Sequence, residues 1–295
     1  MKKSLLMTTA LVALVSASNA RAEDWTVSVP ESIENQILNK DNVTTQAGGE
    51  VAISGDTESS SIIAKSFTME GGKLTATSVN GSADTGIFVK SDSSDINLNG
   101  GSIELINSRI YKGNDTETSG DINISGGDIT LNKDAYIEMR KENSGNVNIT
   151  EGNLLLNENS ALLINSNNGQ EVEGNASKVI INGEGAQITA TGNNRITGNI
   201  DFTNGTLTVS DNASLTSGDI TMSGEDAQID LSGQLNTNIS GNGNITFQNS
   251  ASNITGNVSG SHLTFEADHS LSQAISGGIS NLASLSVNKG TLTYE

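Results

Sequence analysis

The chain is 295 residues long, with 34 acidic against 15 basic side chains and a formal charge of −19, which excludes the basic stripes used to hold nucleic acid or anionic membrane. Cysteine is absent, so thiol nucleophiles, Cys-based zinc sites, disulfides and redox chemistry are excluded as well. Low hydrophobicity with high net charge is also a signature of disorder, but the chain has one proline, Pro30, and its apolar residues are strictly spaced.

Residues 1–22 read as a Sec-type signal peptide. Met1-Lys2-Lys3 is a positive start, and Leu5 to Val15 is an apolar run interrupted by Thr8 and Thr9. Ala20-Arg21-Ala22 then supplies the small-x-small pattern for cleavage after Ala22. The run is short of the roughly 20 residues that a membrane-spanning helix needs, and no later stretch is apolar enough to span. Cleavage removes Lys2, Lys3 and Arg21 and no acid, leaving the remainder more acidic still. The expected location is the cell surface or extracellular space, with the periplasm as the other possibility.

Residues 23–50 differ in pattern from the rest of the chain. Trp25 to Val29 alternates like a strand, and Pro30 to Leu38 has the composition for one or two helical turns. An open stack of strands exposes edges that must be covered, so this segment is expected to be an N-terminal cap.

From residue 51 to 295 one unit recurs: β-x-β-x-x-G-x-β-x-β, where β is a bulky apolar residue. It spans 67–76, 96–105, 122–131, 147–156, 200–209 and 285–294. Two copies, 179–190 and 220–231, carry the same two-residue insertion, and degenerate copies start at Val51, Ile245 and Leu263. Period-two alternation puts Ile122, Ile124, Ile129 and Leu131 on one side of the backbone and Asn123 and Thr130 on the other. The central glycine allows a positive φ and a sharp turn between two short strands. Ile137, Leu162 and Leu215 each follow their unit by six positions and mark a third strand. One unit cannot bury its apolar side alone, so successive units must stack. The expected fold is all-β: a single-stranded right-handed β-helix of roughly ten coils, in which Phe67, Ile96, Ile122 and Val147 form one internal column. The uneven intervals, 26 residues from Ile96 to Ile122 but 32 from Val147 to Val179, place loops near 140–145 and 166–174. Loops of that kind carry recognition more often than the body does.

Catalytic candidates are few. His262 and His269, with Asp268 and Glu266 nearby, are the only histidine grouping, and exposed solenoid histidines explain them more simply than a metal site. Polysaccharide-degrading β-helices need carboxylates gathered on one face. The aligned outward positions read Thr75, Glu104, Thr130, Leu155, Thr189, Thr208, Asp230 and Thr293 in one column. They read Glu70, Asn99, Ser125, Thr150, Asn182, Thr203 and Ser223 in another, and neither stacks acids. Asp92 with Asp95, or Asp115 with Glu117, could meet in loops. Gly126-Gly127-Asp128 is a lone partial match to calcium-binding repeats, and Asn244-Ile245-Thr246 is one of many Asn-x-Ser/Thr triplets that composition produces. No catalytic, cofactor or metal residue is assigned, and no cofactor is expected.

The signal at 1–22, the absence of cysteine and repeats such as Gly205–Val209 and Gly290–Tyr294 resemble the passenger region of autotransporter and related adhesin-like proteins of Gram-negative bacteria. The resemblance covers most of 51–295 and is generic to the class. It implies a right-handed β-helical passenger. With no catalytic constellation in the chain, the expectation is a non-enzymatic surface for adhesion or matrix contact, its ligand unidentified, a host protein or glycan being the classes considered. It also implies a C-terminal translocator barrel, which this chain lacks; the repeat runs to Tyr294, so the solenoid is expected to continue in a longer protein. A carbohydrate-active β-helix enzyme with a loop-borne site and a purely structural stalk are the alternative expectations.

Overall fold

Alternating side chains with corner residues every few positions produce short strands that run around a narrow interior and pair with the coil above and below. In this computed structural model the described residues are 23–34, 36–55, 59–79, 85–90, 94–113, 119–140, 144–167, 170–171 and 177–294. Residues 1–22, which the sequence reading takes as a signal peptide, therefore lie outside the described residues, as do Asp92, Asp115 and Glu117.

The protein is a β-solenoid of about 10 turns with three parallel faces. In the coil containing Ile122, one continuous strand, Ile122–Asn132, supplies the first and second faces, and Tyr136–Arg140 supplies the third. Strands of adjacent coils lie about 4.8 Å apart, and each face is a ladder of parallel pairings between successive coils, with local register shifts at some corners. The first-face column runs Trp25, Val43, Phe67, Ile96, Ile122, Val147, Val179, Ile200, Ile220, Ile239, Val258, Ile279. The expected column from Phe67 to Val147 is therefore present in register. Ile137, Leu162 and Leu215 lie on the third face, as the sequence predicts. Side chains such as Ile122, Ile137 and Leu162 are fully out of solvent, and burying each contributes about 1.5–3 kcal/mol.

The central glycine behaves as the repeat implies. Gly127 has φ 81°, and a Cβ there would lie 2.5 Å from the Gly101 carbonyl oxygen of the coil below. At Gly127 it is the glycine that lets the two coils close up; in the copies with the two-residue insertion Ala186 and Ala227 pair with the repeat glycine of the coil before.

Two expectations are corrected. Pro30–Glu34 is a strand paired with Glu50–Gly55, and Ile37–Asn39 pairs with Ser61–Ala64, so the helical turns do not form. Ile33 points inward beneath Ile53 at 2% exposure, and period-two burial outweighs local composition. The segment 23–50 thus supplies the first coil and the beginning of the next. Pro30, which has no N–H to donate, sits in the outermost second-face strand among the described residues, a suitable place for it.

The second correction concerns the frame of four repeat copies. Val51, Ile245, Leu263 and Leu285 do not begin first-face strands. They occupy the second-face column with Leu74, Ile229 and their equivalents. The motif describes any two strands joined by a glycine corner, so it fits the second-to-third junction as readily as the first-to-second. Leu292–Thr293 accordingly pairs with His269–Ser270, and the outward column continues from Asp230 through Thr246 and Thr264 to Ser286, not to Thr293.

Candidate functional site

Outward side chains on the first two faces form hydrogen-bonded ladders along the solenoid. Asn123 Nδ2 donates to Asn97 Oδ1 at 3.0 Å, and Asn148 Nδ2 to Asn123 Oδ1 at 2.9 Å. In the second column singled out from sequence, Asn99 donates to Glu70 at 3.1 Å, Ser125 donates to Asn99 at 2.8 Å, and the Thr203 and Ser223 hydroxyls meet at 3.0 Å.

A further ladder stands just before several of the first-face strands. Asp95 Oδ1 accepts from the Asp121 N–H at 2.8 Å, Asp121 Oδ1 from Asn146 N–H at 2.7 Å, and Asn146 Oδ1 from Lys178 N–H at 3.0 Å. After a break at Lys178 the pattern resumes: Asn199 accepts from Asp219 N–H at 3.2 Å, Asn238 from Asn257 N–H at 3.0 Å and Asn257 from Gly278 N–H at 2.8 Å. Each side-chain oxygen, carboxylate or amide, satisfies a corner N–H that the strands leave unpaired. The sequence signal was available as Gly120-Asp121, Gly145-Asn146, Gly198-Asn199, Gly218-Asp219 and Gly256-Asn257, a second repeat offset from the first.

Among the described residues, those considered for catalysis do not converge. His262 Nδ1 lies 2.8 Å from the Ser284 hydroxyl on the second face. His269 turns inward at 6% exposure, with its ring edge-on to Phe247 and Phe265, which stack 4.7 Å apart. Burial pushes its imidazole below the ordinary histidine value. Asp268 Oδ1 accepts from the Thr291 N–H, and Glu266 accepts from Asn288 at 2.6 Å with Lys289 at 3.4 Å. The Asn288 hydrogen bond holds the Glu266 carboxyl below its usual range. Asp230 accepts from Gln228, Asp128 from Asn153, and Asn244 donates to the Glu225 carbonyl. Glu104 stands between Thr75 and Thr130 in its column, as read from sequence. Among the described residues there is no group of three or more His, Asp or Glu side chains that could hold a metal ion.

The third face carries the feature sequence reasoning missed. Its outward column Phe88, Tyr111, Glu138, Leu163 is 4%, 3%, 0% and 0% exposed, so this face is covered over these coils. Phe88 and Tyr111 stack with centroids 4.5 Å apart. The Arg109 guanidinium lies 5.2 Å from both rings and donates to the Tyr136 hydroxyl at 2.9 Å. Arg140 sits 4.6 Å over Tyr111. Glu138 accepts from Ser166 at 2.6 Å and lies 4.0 Å from Arg109, and burial pushes the Tyr136 hydroxyl pKa up. Lys112 is also fully buried, donating to the Ser119 carbonyl at 2.9 Å. These coils also have the longer chain intervals between third- and first-face strands, residues 90–95, 113–121, 141–146 and 168–178. The expected loop at 166–174 is described in part: Gln170–Glu171 pairs antiparallel with Ser166–Asn167. On later coils the same face is open, with Arg195 and Thr216 exposed.

The fold defines a β-solenoid protein. Compared with known proteins, the chain matches no family model, no curated protein and no solved structure.

Proposed function

We propose that this chain is an exported, non-enzymatic display scaffold of the autotransporter-passenger kind, which presents the flank of its third face for adhesion to a host protein or glycan. The observation that carries the reading is the chemistry of the outward columns. Asn, Ser and Thr side chains satisfy one another along the axis, as in Asn97–Asn123–Asn148, instead of gathering carboxylates around a cleft as polysaccharide cleavage needs. Three further features support it. The sequence of residues 1–22 reads as an export signal; the lack of cysteine suits a chain that crosses an outer membrane unfolded; and the Arg109–Tyr111–Glu138 cluster rigidifies the flank from which the long intervals depart.

Purified protein incubated with a panel of glycans, polysaccharides and matrix proteins tests the proposal. Retention without turnover is the expected outcome. Released sugar or unsaturated products would replace the display reading with a lyase or glycosidase, and no retention on any surface would favour a stalk.

A further inference from the structure

The corner between the second and third faces is not uniform. From the last interior residue of the second face to the first of the third, Leu231 and Leu235 are four positions apart, Val209 and Leu215 six, and Phe247 and Ile254 seven. Leu215, Leu235 and Ile254 nevertheless stack in one column. The extra residues of the two flanking coils must therefore bulge outward, leaving the corner at Ser232-Gly233 set back between them. The result is a notch of about 260 Å³. Its walls include Asp211 and Asn212, both exposed, and the row Asn193, Ser214, Gln234 borders it on the third-face side. Gly233 is the floor: a Cβ there would lie 2.2 Å from the Ala213 carbonyl oxygen, so no side chain fills the space from below.

We infer that this notch binds one uncharged, hydroxyl-rich ligand unit, a saccharide residue of a neutral glycan. Asn193, Asn212 and Gln234 each offer an amide that both donates and accepts, Ser214 offers a hydroxyl, and Asp211 is acceptor-only. Vicinal hydroxyls, each a donor and an acceptor, match that mixture. The lining contains no lysine or arginine, and Asp211 together with the chain's charge of −19 disfavours phosphate, sulfate or uronate. There is no aromatic or large aliphatic wall for an apolar ligand, and the volume is below the roughly 300–1,000 Å³ typical of apolar pockets. Two lining groups are held in place beforehand. Asp211 Oδ1 accepts from Asn249 Nδ2 at 3.3 Å, and Ser214 Oγ accepts from Asn236 Nδ2 at 3.2 Å, which leaves the Ser214 hydroxyl proton to be donated. Preorganisation of this kind lowers the ordering cost of binding. The notch is on the open part of the solenoid, away from the covered third-face coils, and does not depend on the display reading: a stalk or an enzyme could carry it equally.

The test is saturation-transfer NMR on the full chain with the methyl glycosides of mannose, galactose, N-acetylglucosamine and glucuronate, each titrated to saturation. At least one neutral glycoside is expected to bind saturably and more tightly than the glucuronide. Asp211→Ala with Gln234→Ala is expected to weaken it about tenfold or more, and Asn193→Trp, which fills the notch from an exposed position, to abolish it. Thr221→Ala, exposed on the first face, is expected to leave it unchanged. Absence of saturable binding for all three neutral glycosides, preference for the glucuronide, or undiminished binding by the notch variants would overturn the inference.

Discussion

Replacing Gly127 by alanine probes the corner on which stacking depends. Its φ of 81° costs a β-carbon residue about 1–2 kcal/mol. The new Cβ would also lie 2.5 Å from the Gly101 carbonyl oxygen. That oxygen accepts from the Asp128 N–H at 3.0 Å, so the contact can be relieved only by spreading the two coils or losing this bond. Overpacking of that kind costs a further 1–3 kcal/mol or so, which brings the expected loss to about 2–5 kcal/mol. A solenoid is quasi-one-dimensional and its coils open locally. The assay is therefore hydrogen exchange resolved by residue, with protection lost at the Asp128 and Ser102 amides and retained near Phe247. Glu151→Ala, exposed on the same corner, serves as the reference and should shift stability by less than about 0.5 kcal/mol. Equal protection of the two variants around Gly101 and Gly127 would refute the reasoning.

Other parts of the structure predict distinct outcomes. Phe202→Ala, in the interior column with Ile181 and Met222, should cost about 3–5 kcal/mol, read as exchange confined to the adjoining coils; a uniform loss along the chain would contradict columnar stacking. Arg109→Ala removes the cation packed against Phe88, Tyr111 and Tyr136 and close to buried Glu138, and is expected to cost about 3–5 kcal/mol. Its readout is the exchange of Arg109–Lys112 and Tyr136–Arg140, with the later coils unaffected. His269 has a lowered pKa in the folded state, so the folded protein resists protonation there. Its contribution is present above the unfolded value of about 6.5 and is lost as pH falls through that value toward the folded one. Its ring faces Phe247, Phe265, the Asn249 backbone and the Asp268 carboxylate. His269→Phe should flatten the loss of protection around Phe265 between neutral and mildly acidic pH; an unchanged profile would assign that loss to the carboxylates.

How far the sequence reaches can be seen residue by residue. The column Phe67–Ile96–Ile122–Val147, the glycine corner at Gly127 and the third-face positions Ile137, Leu162 and Leu215 were legible because period-two burial repeats many times. The frame of the Leu285 copy was not, since two apolar pairs around a glycine look the same at either corner. Pro30–Leu38 misled because local composition carries no information about which coil lies above; Ile33 beneath Ile53 decides it. Buried Glu138 and Lys112 were hidden because period two assigns a side, and only the tertiary fold shows that the outer side of the third face is covered. The notch was encoded in chain lengths, four positions against six and seven, but reading it required knowing that Leu215, Leu235 and Ile254 share a column.

Register between coils underlies both the ladders and the notch, and a chain without cysteine permits a direct test of it. Asn97, Asn123 and Asn148 are successive partners on the outside of the first face. Adjacent coils about 4.8 Å apart are within disulfide reach, whereas coils two apart, at about 9.6 Å, are not. Under mild oxidation the Asn97→Cys/Asn123→Cys variant should form an intrachain disulfide nearly completely, and Asn97→Cys/Asn148→Cys should stay reduced. Crosslinking of the second pair, or its absence in the first, would contradict the in-register solenoid.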